Sequence, residues 1–387
     1  MIVRDKKVAV VGGGPGGLTL ARLLQLKGAA VKVYERDTNR NVRVQGATLD
    51  LHYESGLKAI EAAGLMDAFK ATYRPGNDRY RVTDEHAVIH YDEHEKESTG
   101  DFGDEWFRPE IDRGPLRDIL LDSLQPDTVV WNSHIVSLER SGNGWNIIFK
   151  DGSTAYADIV VGADGANSKI RPVVTPIAPV YTGVTLLVGN IPDAEKNVPI
   201  LNALVKGGKI TALGKCRSLF LSEKGDGSLD VYIGWKAALD WASASGIDLT
   251  DNKQVLAWFK EEFAGWDELW LELFDCPEAE FTYRPLHGMP LGLHWETQPN
   301  ITLLGDAAHV LPPNGEGVNT AMLDALNLTE CLTNGKFTAL KQAIAHYENQ
   351  MFERFTEEAE TTAAMMEWMY ALNGLQVMID MMSEMPG

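Results

Sequence analysis

The chain has 387 residues, 44% of them hydrophobic and 23% charged, the balance of a globular protein with one large core or two joined domains rather than a disordered chain. Its formal net charge of -20 disfavours electrostatic binding to nucleic-acid phosphates or anionic lipid heads, so a phosphate-bearing ligand has to be met by backbone amides or local positive charge. Cys216, Cys276 and Cys331 show no pairing by spacing, which excludes a disulfide framework and a zinc knuckle and points to a reducing cytoplasm.

The first apolar segment, KKVAVVGGG, is short and broken by glycines, which predicts neither a signal peptide nor a membrane span. VAVVG (8–12), a glycine turn, the helically spaced LTLARLLQLKG and VKVYER (31–36) read as a βαβ unit. Gly12, Gly14 and Gly17, with Pro15 in the same turn, form G-x-G-x-x-G between strand and helix. The first glycine permits the tight turn, the second lets backbone approach a pyrophosphate, and the third lets the helix pack close. Glu35, ending the second strand, is placed to accept hydrogen bonds from an adenosine ribose. Together these predict a bound dinucleotide.

Residues 54–69 read as a helix and 79–91 as a β-hairpin; 112–124 is helical, and short strands follow to 156 with Asp151-Gly152 as a turn. ADIVVGADG (157–165) is a buried parallel strand. Its Gly-Ala-Asp-Gly end is either a simple turn or a ligand-lining loop, with Ser168, Lys169 and Arg171 beyond it. From about 180 to 236 the strands are short and antiparallel in pattern, which predicts a second domain on its own sheet. NITLLGD (300–306) returns to the buried parallel type, and the chain beyond 315 reads as helical. Asp306 after that strand can bind a hydroxylated chain, while Gly315, Gly317, Val318 and Asn319 open the next helix with free amides.

His86, His90 and His94 recur every four residues but on a strand pattern, so a solvated hairpin is expected rather than a metal site. No G-x-S-x-G elbow is present. Met365, Met366, Met369, Met378, Met381 and Met382, with Trp368 and Tyr370, form either core packing or a soft wall over a bulky substrate or partner.

GGGPGG with Glu35-Arg36, DRGPLR, GADGANS and GDAAH…P…GVN occur in the order of the single-component (class A) FAD-dependent monooxygenases, the group of para-hydroxybenzoate hydroxylase, and the chain resembles that family. VYERD, GATLDLH, GDAAHVLPP and YENQMF are similar to the tetracycline-inactivating (TetX-type) monooxygenases, the tetracycline destructases. The resemblance implies an α/β fold. A Rossmann-type FAD-binding domain (1–75, 100–178 and 285–335) is joined by a substrate domain on a mostly antiparallel sheet (76–99 and 179–284) and a C-terminal helical segment (336–387) bridging the two. Glu35 and Arg36 would hold the adenosine end of FAD, and Asp50 and Arg117 would contact the cofactor. Asp164 would serve FAD and NAD(P)H, Gly305 and Asp306 the ribityl chain, and the 312–319 loop from Pro312 the isoalloxazine; Arg43 would meet the nicotinamide nucleotide.

The implied reaction reduces the flavin with NADPH and transfers one oxygen atom of O2 to an electron-rich carbon, with no side chain obligatory as acid or base. The flavin loop PPNGEG is one residue shorter than in the tetracycline enzymes and carries Glu316 where glutamine is usual. In the substrate sheet Val188 stands where a glutamine aligns, Lys209 where an arginine does and Asp230 where a histidine does, while Phe220 keeps an aromatic; Tyr232 and Asn314 complete the expected substrate contacts. The expected substrate is a polycyclic phenolic or enolic compound, narrowly tetracycline, with another aromatic or biosynthetic intermediate as the alternative enzyme reading and a flavin-bound sensor as the non-enzyme one. A monomer is expected, without metal, membrane or nucleic acid.

Overall fold

The computed structural model describes residues 1–42, 48–94 and 100–384. Apart from exposed Lys7 and the buried Thr302, Lys7–Val11, Ile159–Gly162 and Ile301–Leu303 are apolar at consecutive positions and buried, as strands covered on both faces must be. With Ala30–Tyr34 and Val129–Val130 they form a five-stranded sheet of order 301–303, 159–162, 7–11, 30–34, 129–130, every adjacent pair parallel. The helix Pro15–Leu26 links Lys7–Val11 to Ala30–Tyr34 and packs on the helix Gly317–Thr333. A small antiparallel sheet, Ile135–Ser141, Gly144–Phe149 and Thr154–Ala157, adjoins them, its last turn taken by Gly152 at φ +84°.

The second sheet has seven strands in the order Glu280–Gly288, Val180–Ile191, Leu229–Lys236, Arg217–Glu223, Lys209–Gly214, Tyr80–Asp84, Ile89–Asp92. Only the pair 209–214 with 80–84 is parallel. Alternation gives the sheet two unlike faces. Leu187, Ile210, Leu219, Leu221, Val231 and Ile233 point to a core shared with Val255 and Phe259 of the helix Asn252–Glu262 and with Trp270. Val188, Thr211, Phe220 and Tyr232, at the intervening positions, face a cavity.

Two expectations change in detail. The helix expected over 54–69 is a π-turn Tyr53–Leu57 running into Lys58–Ala62, then a separate helix Met66–Lys70, because Gly64 at φ +70° ends the first run. The histidine hairpin forms, but it is not solvated throughout: His94 is buried and bound to Asp92 at 3.0 Å, while His90 binds Asp84 at 3.0 Å.

The carboxyl-terminal part is helical: Gly317–Thr333, Leu340–Met369 and Gly374–Glu384. The long second helix buries Ala343, Tyr347, Met351 and Phe355 in the core of the parallel sheet, while Met366 and Met369 pack near Val184, Leu186 and Leu286 of the other sheet. Among the described residues, no helix is long and apolar enough to cross a membrane.

Candidate active site

The glycine turn is shaped by close approaches. A β-carbon at Gly17 would lie 2.2 Å from the Gly12 carbonyl oxygen, and one at Gly12, whose φ is +109°, would lie 2.3 Å from the Ala163 carbonyl oxygen. Only glycine fits either position. Gly14 is different, because a β-carbon there would meet no protein atom within 4 Å. It opens the helix with Pro15 in the first turn and no side-chain cap, so the first amides face open space as an anion site. Glu35 is 2% exposed and accepts hydrogen bonds from the amides of Gly13 (2.5 Å) and Asp37 (2.9 Å), which couples the turn to the end of the second strand. Arg36 beside it is exposed and lines the same cavity.

Arg117 lies behind the turn rather than in the cavity lining. It pairs with Asp37 (3.1 Å), donates to the carbonyls of Arg40 (3.1 Å) and Gly13 (3.4 Å), and stacks over Trp131. Asn319 is fully buried and clamps a neighbouring strand, donating to the Asp50 carbonyl and accepting from the His52 amide, both at 2.9 Å. Arg43 lies outside the described residues.

Two carboxylates stand at the ends of parallel strands. Asp164 accepts from the Ser168 hydroxyl and the Lys169 amide, each at 2.6 Å, and burial holds its carboxyl above the usual carboxylate range. Asp306 opens onto the cavity beside Gly305 and Gly317, and its carboxylate has no hydrogen-bond partner among the described residues. Its surface is open to the cavity, and crowding by the surrounding strand end and loop raises its pKa against the opposing charges of His309, Arg113 and Arg171. Arg171 fastens the loop by donating to the carbonyls of Asp306 and Ala307, both at 2.7 Å. Beneath it, buried Asp324 accepts from the Gly305 amide (2.9 Å) and binds His309 (2.6 Å) and Arg354 (2.7 Å).

The loop residue Glu316 reaches His52 at 3.2 Å, and His52 binds Asp50 at 2.9 Å. Burial works against the imidazolium, yet these two carboxylates outweigh it and raise the pKa of His52 to about 9. Asn314 holds the same loop through the Thr362 hydroxyl (2.8 Å), Glu358 (3.2 Å) and the Glu316 amide (3.0 Å).

The glycine turn, the ends of the parallel strands and the loop before the helix Gly317–Thr333 bound one continuous cavity of about 1920 Å³. It runs from Gly12, Gly14, Pro15 and Gly17 past Asp50, Asp164, Asp306 and Pro312, Gly315, Gly317 and Val318 to the second sheet, where Val188, Lys209, Phe220, Asp230 and Tyr232 line it with Asn314. A single drug-sized ligand fills roughly 300–1,000 Å³, so this space has room for a dinucleotide and a second organic molecule together. The six late methionines, Trp368 and Tyr370 also line it, which makes the stripe a wall of the cavity. Lys209 is ion-paired to Glu110, a buried residue that the sequence did not single out, as it did not single out Arg113 or the His309–Asp324–Arg354 cluster.

An uncapped helix start behind a turn without β-carbons, and a lone carboxylate open to the cavity at a strand end, fit the pyrophosphate and the hydroxylated chain of FAD. Residues 5–182 and 294–359 match the model of the FAD binding domain family. Monooxygenase penA of Penicillium thymicola is 28% identical, covering 96% of this chain and 96% of that one. The 6-hydroxynicotinate 3-monooxygenase of Pseudomonas fluorescens is 26% identical, covering 91% of this chain and 89% of that one. Among solved structures, Klebsiella pneumoniae HpxO complexed with FAD and uric acid superposes with a TM-score of 0.77 at 21% identity, covering 100% of this chain and 94% of that one. Tetracycline destructase Tet(55) superposes with a TM-score of 0.71 at 21% identity, covering 96% and 90%. On the family match and the relatives' shared activity, the chain belongs to the FAD binding domain family and is an FAD-dependent monooxygenase.

Proposed function

We propose that this monooxygenase hydroxylates an electron-rich aromatic or polycyclic phenolic or enolic small molecule, with NAD(P)H as electron donor. The observation that carries this reading is the single cavity joining the glycine cradle to the half-apolar sheet face. FAD, when bound, passes electrons from NAD(P)H to O2 and delivers one oxygen atom to the substrate, the other leaving as water. The protein's part is placement and exclusion of water. In this reading Glu35 and Arg36 hold the adenosine end, the amides from Gly14 onward the pyrophosphate, Asp306 the ribityl chain and the 312–319 loop the ring system. Phe220, Tyr232 and Val188 seat the substrate ring, with Met366 and Met369 closing over it.

Tetracycline is the narrower candidate, supported by the order of motifs and by the likeness of fold to the tetracycline destructases. Another aromatic is favoured by Val188, Lys209 and Asp230, which replace the polar set expected to grip tetracycline. The test follows NADPH oxidation by the purified flavoprotein under isotopically labelled O2 with tetracycline and a panel of hydroxylated aromatics. A product heavier by one labelled oxygen supports the reading. Tetracycline is ruled out if it neither accelerates NADPH oxidation nor yields product, and a protein that binds no FAD sinks the whole reading.

A further inference from the structure

Glu316 directly precedes the helix Gly317–Thr333, whose first amides have no intrahelical partner and whose Gly317 and Val318 line the cavity. An acid at that position can cap the helix and cancel the positive end of its dipole. Glu316 does not: its side chain makes no cap hydrogen bond, and its Oε1 lies 3.2 Å from Nδ1 of His52 instead. The other ring nitrogen of His52, Nε2, is 2.9 Å from Oδ2 of Asp50. A carboxylate only accepts, so a bare ring nitrogen facing either one would set lone pair against lone pair. Both nitrogens therefore carry protons, and the ring is a cation between two anions. The raised pKa of His52, about 9, agrees with this.

The backbone at both ends of the pair is fixed by other bonds. The His52 amide donates to Asn319 at 2.9 Å, the Glu316 amide donates to Asn314 at 3.0 Å, and the Glu316 carbonyl accepts from the Thr320 hydroxyl at 2.9 Å. The ion pair thus decides where charge sits more than how the loop runs. Other charged groups stand around it: Glu358, which accepts from Asn314 and Thr320; His309 with Asp324 and Arg354; and Asp306, opposed by Arg113 and Arg171. Lys209 and Glu110 act on Asp50. All of these are unchanged by an exchange of His52 or Glu316, so the difference between such variants reads the pair itself.

We propose that His52 is a positioning residue for the flavin loop: its imidazolium holds the Glu316 carboxylate off the helix start and offsets its charge, so that the amides of Gly317 and Val318 favour the negative charge a flavin gains on reduction. The inference rests on the reading that lays the 312–319 loop along the ring system, and it names what sets electron affinity there. Asp50, His52 and Glu316 together carry one negative charge; without the imidazolium they carry two, and without the Glu316 carboxylate none.

The experiment equilibrates FAD-loaded protein anaerobically with a redox dye, comparing wild type, His52→Gln, Glu316→Gln and the double variant, each checked for flavin content and melting temperature. His52→Gln is expected to lower the ratio of reduced to oxidised flavin at a fixed dye potential roughly threefold or more. Glu316→Gln is expected to raise that ratio, and the double variant to return near the wild-type value. A merely structural clamp would move both single variants in the same direction; that result, or no shift in either, overturns the proposal. If His52→Gln does not fold, Glu316→Gln still decides the sign, because its side chain is 37% exposed. Gly317→Ala tests the loop separately, since its added β-carbon enters space where the nearest protein atom is Asp306 Oδ1 at 4.0 Å. Unchanged flavin absorbance and affinity in that variant would reject the placement of the loop, whereas altered absorbance with unshifted His52 and Glu316 variants rejects the role of His52 alone.

Discussion

Asp306 is an acceptor to which nothing among the described residues donates, at the end of a buried strand and open to the cavity. Such a group is free to accept from a hydroxylated ligand. Asp306→Ala is therefore expected to weaken FAD binding by on the order of 1–3 kcal/mol while leaving the fold intact, since no hydrogen bond of the carboxylate to a described residue is lost. Titration of the apoprotein with FAD, followed by flavin fluorescence, measures this; unchanged affinity rejects the role. Arg117 has the opposite character. Its guanidinium is spent on Asp37 and the carbonyls of Gly13 and Arg40, so it acts by fixing the shape of the glycine turn.

At the scale of the element, the turn between Val11 and the helix Pro15–Leu26 separates two uses of glycine. At Gly17 the missing β-carbon is demanded by the protein itself, through the Gly12 carbonyl. At Gly14 it is demanded only by a ligand, and the backbone there, φ -80° and ψ 175°, suits any residue. Gly17→Ala is expected to lower the melting temperature and the flavin content together, at a cost of about 1–3 kcal/mol in stability. Gly14→Ala is expected to melt like the wild-type apoprotein yet purify with little FAD; equal flavin content in both variants would contradict this division. The turn, the parallel strands and the hairpin were legible because their signals are local: glycine spacing, continuous apolar runs and alternation. Glu110 was not, since its partner Lys209 lies 99 residues away and nothing near either residue announces the pairing. The same holds for His52, whose charge depends on Asp50 and on Glu316 from the opposite end of the chain. Gly64 shows the reverse limit, a helical pattern interrupted by one backbone conformation.

At the scale of the whole molecule, the late helices join the two sheets. Leu340–Met369 begins in the core of the parallel sheet and ends in the cavity wall, and Gly374–Glu384 lays Met378 against Val82 and Leu213. The methionine stripe thus answers both halves of the expectation, since it packs and it lines the cavity. Removing residues after Gly374 is expected to raise KM for the oxygenated substrate and to uncouple NADPH oxidation from product, while flavin content stays near the wild-type level, because no residue of the glycine cradle or of the 312–319 loop is removed. Loss of flavin with unchanged KM would mark that helix as core instead.

The two faces of the second sheet do not share the burden of folding. Leu187, Ile210, Leu219, Leu221, Val231 and Ile233 are each fully buried in an aromatic-rich core, where every deleted methylene is felt. Val188, Phe220 and Tyr232, one step along the same strands, are only partly buried and border open space. Mutational tolerance is therefore concentrated at these three cavity-side positions: Val188, Phe220 and Tyr232 can drift toward new ligands at little loss of stability, and the chemistry delivered from the parallel sheet is left untouched by the change.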